Sequence, residues 1–271
     1  MQEQQETLKQ INRTMKVFRH SEGAVRPHFI LTGPSGSGKS FSILKLAERN
    51  NLNYLEINAA QLTKEGLAGN SLSKALAPLA QMGDRPCVCF VDEFDKLFIS
   101  GNSNSDLAHE STNGVQNEML KVLESNTTAV FGDYGKYYNI NSEKVLFVFA
   151  GAFNGEEDID IDRLRQLGLK TELLGRVGLV FNLQRLALDS LERLLETSPL
   201  LATYLELFED VKREDALSAI LAAVRENYEN NTVGVRMINT LIHQYFIGGG
   251  KLSKEAAKSC TFQTKLTLND D

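Results

Sequence analysis

The chain has 271 residues, 42% apolar and with no tryptophan, and its 35 acidic against 29 basic residues give a net charge of −6. That length holds one substantial α/β domain and a small second one, and the acidic balance excludes a general attraction to nucleic acid or anionic lipid. There is no run of 18 apolar residues to cross a membrane, and the Gln- and Glu-rich N-terminus has no signal-peptide pattern.

The first predicted element is a buried strand, Phe29–Thr32. It runs straight into Gly33-Pro34-Ser35-Gly36-Ser37-Gly38-Lys39-Ser40, a phosphate-binding P-loop, and then into a helix over 40–50. Three glycines let the main chain curl so that successive N–H groups point inward at phosphate oxygens. The following helix N-terminus, continuing into Phe41, adds partial positive charge. Lys39 would reach the β- and γ-phosphates of ATP, and the Ser40 hydroxyl would ligate Mg²⁺.

A second strand is predicted over Asn53–Asn58, a helix over 71–82 and a third strand over Cys87–Asp92. Cys87 and Cys89 lie inside that apolar strand and Cys260 is far away. They make neither a zinc nor a disulfide framework and read as core thiols of a cytoplasmic protein. The strand ends in Asp92-Glu93, the Walker B pattern, expected on the strand next to the P-loop strand. Asp92 would hold Mg²⁺ and Glu93 would orient and deprotonate the attacking water. A second acid beside the metal ligand speaks for hydrolysis over transfer to a small substrate.

Residues 100–114 are polar and rich in Ser, Asn and Gly, which predicts a mobile loop. A helix over 114–124 presents Val115, Met119, Val122 and Leu123 on one face. Residues 131–138 read as a hairpin with exposed aromatics, either simply packed or contacting a partner. Strands follow at Val145–Gly151 and 177–183, with an acidic, exposed excursion over 155–172 between them. Strand–helix alternation predicts a parallel sheet sandwiched by helices. From Asp189 the pattern is helical, opening on a capping box of Asp189 with Glu192. Leu217, Ile220, Leu221, Val224 and Tyr228 form one apolar stripe, and Met237, Ile238, Leu241 and Tyr245 another. Gly248-Gly249-Gly250 closes the last helix, and 261–268 has weak strand character. The expected division is a large α/β domain over 1–186 and a helical lid over 187–271.

These motifs together resemble the AAA+ ATPases, specifically the ClpX/HslU-like clade of protein unfoldases. Residues 61–69, Gln-Leu-Thr-Lys-Glu-Gly-Leu-Ala-Gly, are similar to the segment bearing the first pore loop. Residues 91–97, Val-Asp-Glu-Phe-Asp-Lys-Leu, resemble the clade's Walker B stretch, and 114–124 the helix after its second pore loop. Residues 146–153 resemble its fourth strand, Glu172-Leu173-Leu174-Gly175-Arg176 the arginine-finger motif and Gly234-Val235-Arg236 the sensor-2 signature.

The resemblance implies a P-loop NTPase fold, ATP and Mg²⁺ as ligands and a homo-oligomeric ring, expected to be a hexamer, acting on a protein substrate or adaptor. It assigns Arg176 to the γ-phosphate of a neighbouring protomer and Arg236 to phosphate from the lid of its own chain, coupling nucleotide state to lid angle. Each arginine also has a plain structural reading, Arg176 capping helix carbonyls and Arg236 as a solvated helix start. Asn154, just past the fourth strand, is the candidate for the polar sensor-1 residue.

The chain departs from the clade in several places. The pore loop carries Leu67 in place of an aromatic, which gives less contact area on an extended polypeptide. No paired C-x-x-C motif marks a zinc module, and no Ile-Gly-Phe-like peptidase-docking loop is visible. The adenine-contacting segment would precede Glu3, so base recognition is expected to be looser or supplied from upstream. Two alternatives stay open: an AAA+ machine acting on nucleic acid, which the acidity disfavours, and a nucleotide-dependent scaffold with little turnover. A small-molecule kinase would leave Glu93, Arg176 and Arg236 without roles.

Overall fold

The computed structural model describes residues 4–63, 70–83, 85–99, 106–132 and 135–252. The pore-loop segment around Leu67, Cys260 and the tail at 261–268, expected from the sequence to have weak strand character, lie outside them. Its strands are β1 (Phe29–Thr32), β2 (Asn53–Asn58), β3 (Cys87–Asp92), β4 (Thr127–Phe131), β5 (Tyr137–Asn141), β6 (Val145–Gly151) and β7 (Leu179–Asn182). Its helices are α1 (Gln5–His20), α2 (Lys39–Arg49), α3 (Leu72–Ala75), α4 (Asp106–Glu124), α5 (Ile161–Gln166), α6 (Thr171–Arg176), α7 (Leu188–Glu196), α8 (Pro199–Leu207), α9 (Arg213–Asn227) and α10 (Arg236–Ile247).

Five strands pair in parallel in the order β2-β3-β6-β1-β7. Parallel strands need crossovers over the faces, so both faces are covered, and the three inner strands β1, β3 and β6 are apolar almost throughout. Period-two alternation divides them cleanly. Cys87, Cys89 and Val91 of β3 and Val145, Phe147 and Phe149 of β6 pack with Val115, Met119 and Val122 of α4 and with Leu173 and Leu174 of α6. Val88, Phe90, Leu146, Val148 and Ala150 face the other way, onto Ile11, Met15 and Phe18 of α1 and Ile43 and Ala47 of α2. Burial pushes the Cys87 thiol up to about 12 and raises that of Cys89 as well, so both behave as core residues.

The Walker B strand is not next to the P-loop strand, as the motif spacing had suggested: β6 lies between them. All seven residues of β6 are buried and none is polar. A strand of that kind is best able to give up both edges and both faces to protein, which favours the sheet centre. Four further expectations are corrected. The helix over 71–82 is one α-turn, α3, followed by a 3-10 segment at Ala77–Gln81, where Pro78 lacks the N–H an α-helix would use. The second half of the 100–114 segment is helical, since α4 starts at Asp106. The acidic excursion carries α5 and the start of α6, and Ile159, Leu164 and Leu169 are buried in the main core. The capping box is absent: Ala187 precedes α7, Asp189 falls inside its first turn, and Glu192 accepts from Arg225 Nε at 2.7 Å.

The hairpin at 131–138 is present as the antiparallel pair β4–β5, with Tyr137 54% and Tyr138 47% exposed. Helix α1 was not anticipated. By mutual contacts the chain divides into two units, residues 4–34 and 38–184 in one, and residues from 185 on, together with 35–37, in the other. In the second unit Leu191, Leu195, Leu201, Ile220, Val224, Ile238, Ile242 and Phe246 form a separate core from α7 to α10.

His28, at the entrance to β1, is 5% exposed, and its Nδ1 accepts the Phe147 N–H at 3.0 Å. Burial first, and then the Arg26 charge, lower its pKa to about 3. The folded chain therefore keeps a neutral ring where the unfolded chain, titrating near 6.5, takes up a proton. Stability from this group is complete above pH 6.5 and falls by about 1.4 kcal/mol per pH unit as the pH drops toward 3. His28→Gln, whose amide oxygen still accepts from Phe147, removes that slope. In urea unfolding the gap between wild type and variant should narrow by about 2 kcal/mol from pH 7 to pH 5; an unchanged gap refutes this account.

Candidate functional site

The turn between β1 and α2 takes the expected left-handed conformations, with φ of 147° at Gly33, 70° at Gly36 and 87° at Gly38. At Gly36 and Gly38 a side chain would be strained by steric contact with the backbone. Gly38 serves as the N-cap of α2, so no side chain caps the helix. The first N–H groups of α2 lack intrahelical partners and there is no acid in its first turn, an arrangement that suits an anion. Lys39 Nζ donates to the carbonyls of Gly33 at 2.6 Å and Pro34 at 3.0 Å. A lysine resting on loop carbonyls can exchange them for phosphate oxygens, which are stronger acceptors for an ammonium. Ser35, Lys39 and Ser40 are half-buried, Ser37 is buried, and Phe41 is 60% exposed with Lys45 Nζ 6.0 Å from its ring centre.

At the end of β3 Asp92 is half-buried, and its Oδ1 accepts the Glu93 N–H at 2.9 Å. In register, Leu31 of β1 pairs with Ala150, and Val91 of β3 with Phe149. Asp92 therefore stands level with the strand ending that leads into the P-loop, two strand spacings away, about 10 Å across the backbone. An intervening phosphate and a cation fit a gap of that width. Ser40 and Asp92 supply a hydroxyl and a carboxylate, hard oxygen donors suited to Mg²⁺.

Glu93 has φ 54° and is exposed, and its Oε2 accepts from Asn58 Nδ2 at 3.2 Å. Left-handed backbone at a residue other than glycine or asparagine costs on the order of 1 kcal/mol and turns the side chain away from the strand line. Asn58, the last residue of β2, was not singled out from the sequence, because nothing local relates it to a carboxylate 35 residues on.

Behind these groups Asp95, 1% exposed, accepts the Phe153 N–H at 3.2 Å through Oδ2. A Cβ at Gly151 would lie 2.5 Å from Asp95 Oδ1, so only glycine fits the end of β6. Phe153 and Asn154 then take φ of 47° and 57°. Asn154 thus leaves the strand that separates β1 from β3, and it is exposed. The Thr32 hydroxyl hydrogen-bonds the Asn182 carboxamide, which also bridges the Ile159 N–H at 2.9 Å and its C=O at 3.0 Å. This fastens the last residue before the P-loop to β7.

The two arginines come from later in the chain, and Arg236 Nη1 donates to Ser35 Oγ, of the same unit, at 3.3 Å. Arg176, the last residue of α6, donates through Nη2 to Glu124 Oε1 at 2.9 Å. Arg236 is the first residue of α10 in the helical unit.

Residues 29–166 match the profile of the ATPase family associated with various cellular activities (AAA). The ATP-dependent Clp protease ATP-binding subunit ClpX of Porphyromonas gingivalis is 26% identical over 212 residues, covering 63% of this chain and 52% of that protein. ClpX 2 of Wolinella succinogenes is 27% identical over 260 residues, with 81% and 64% covered. ClpX of Bacteroides thetaiotaomicron is 24% identical over 262 residues, with 79% and 63% covered. The chain therefore spans about half to two thirds of the length of these curated relatives. With its P-loop, its Asp92-Glu93 strand end and the 2-3-6-1-7 strand order, the chain belongs to the AAA family of ATPases and to its ClpX-like branch.

Proposed function

We propose that this chain hydrolyses ATP with Mg²⁺ in a ring of identical protomers, a hexamer, and that the ring remodels or unfolds a protein partner in the cytoplasm. The observation that carries the reading is Glu93: an exposed carboxylate one residue past the metal-ligand position, held by Asn58 at the same sheet edge as the P-loop. The backbone N–H groups of Ser35–Gly38 and the Lys39 ammonium bind the phosphates, with Phe41 beside them. Ser40 and Asp92 would hold Mg²⁺, which would supply positive charge to offset that of the phosphates. Glu93 accepts the proton of the attacking water, and Asn58 keeps its carboxylate at the strand end. Asn154 offers a carboxamide from the strand between the two motifs.

Arg176 completes the site of a neighbouring protomer, and Arg236 reads phosphate from residues 187–271 as a lid on an ATPase domain of 1–186. A protein partner is supported by the relatives, whose names make them ATP-binding subunits of a protease. No helix among the described residues is long and apolar enough to cross a membrane.

A cleavage site shared between protomers makes specific activity depend on concentration. Phosphate release per chain should rise with protein concentration, in step with assembly followed by light scattering. Full turnover by a demonstrated monomer overturns the reading.

A further inference from the structure

We propose that Glu124 is the positioning residue for Arg176, fixing the guanidinium so that it can serve a neighbouring protomer's nucleotide; this rests on the shared-site reading above. Helices α4 and α6 are fastened along one seam. Leu173 and Leu174 are 1% and 5% exposed and share a core with Val115, Met119, Val122 and Leu123 of α4. At the α6 entrance Lys170 donates its N–H to Gln116 Oε1 at 3.3 Å and its Nζ to Asn117 Oδ1 at 2.7 Å. At the exit, Arg176 meets Glu124 at 2.9 Å. The packed leucines set where α6 lies, and the ion pair sets where the guanidinium points.

Two features make this pair more than an incidental surface contact. Glu124 is the last residue of α4, where a carboxylate has the wrong sign for the helix dipole. The position is tolerable because a cation sits against it. The contact is also one-pointed, from Nη2 to Oε1, while a guanidinium has five N–H bonds in a rigid fork. Most of the fork stays available to a phosphate, and Arg176 is 54% exposed. An anchor of this kind restrains a long side chain before its target arrives, lowering the ordering cost of engagement.

The test uses mixed rings in which the two halves of the site come from different chains. A Glu93→Gln chain donates Arg176 but has no base, and an Arg176→Ala chain supplies Glu93 but no finger. Glu124→Gln is added to the donor in one mixture and to the acceptor in another, with assembly and melting temperature measured for each. We expect ATP turnover to fall about two- to fivefold with the donor placement alone, the range an exposed ion pair can supply. The deficit should shrink with added salt.

An equal fall in both placements assigns Glu124 to helix packing and overturns the proposal. No change, a fall only in the acceptor, or a rise in the donor overturns it too. If the parental mixture shows no turnover despite confirmed co-assembly, the shared site itself is wrong, a result distinct from all of these.

Discussion

Glu93→Gln is expected to lower ATP turnover by about 10²–10⁴-fold, the range for removing a positioned general base, while the protein still binds ATP. The substitution keeps the shape of the side chain, and its amide oxygen can still accept from Asn58, whose contact in the wild type is 3.2 Å. The left-handed backbone at 93 is equally tolerable to glutamine, so folding should be unaffected. What disappears is a basic oxygen able to take a proton from water. The phosphate cradle and the proposed metal donors Ser40 and Asp92 are untouched. Steady-state phosphate release measures the loss, and ATP retained on the protein through gel filtration measures the binding. Turnover within about threefold of wild type would remove Glu93 from the base role. Asp92, half-buried and bonded to the Glu93 N–H, would then be the acid to examine next.

Which elements were legible in the sequence follows from where their information resides. The strands β1, β2, β3 and β6 were bounded correctly, because a strand in a parallel sheet is a short apolar run closed by turn residues. Their order was not, because adjacency depends on which crossovers pass over which face. The P-loop and Asp92-Glu93 are contiguous motifs, so their residue types announce the chemistry. Asn58 and Glu124 act on partners 35 and 52 residues away, and no local pattern marks them. Helix α1 is the clearest omission. Its buried residues Ile11, Thr14, Met15 and Phe18 recur at i, i+3, i+4 and i+7, a helical stripe, but polar and charged residues outnumber them in this stretch and mask it. At 189 a D-x-x-E pattern proved insufficient, since helix α7 had already begun at Leu188.

Arg176→Ala poses the sharpest choice between a structural and a catalytic arginine. As a structural partner of Glu124 alone, at a contact 54% and 43% exposed, it would contribute at most about 1 kcal/mol to stability and nothing to the chemical step. As a finger on the neighbour's γ-phosphate, its removal is expected to cost about 10³–10⁵ in turnover, because negative charge spreading over the phosphoryl oxygens loses its cation. The two outcomes differ by orders of magnitude, and a melting curve beside a rate measurement separates them. Mixing decides where the arginine acts. In rings formed at random from equal amounts of Arg176→Ala and Glu93→Gln chains, one half times one half of the seams join an intact base to an intact arginine. Turnover should therefore return to roughly a quarter of the wild-type value, although each variant is inactive alone. An arginine serving its own chain's nucleotide would show no recovery, because each subunit would still lack one half of its site.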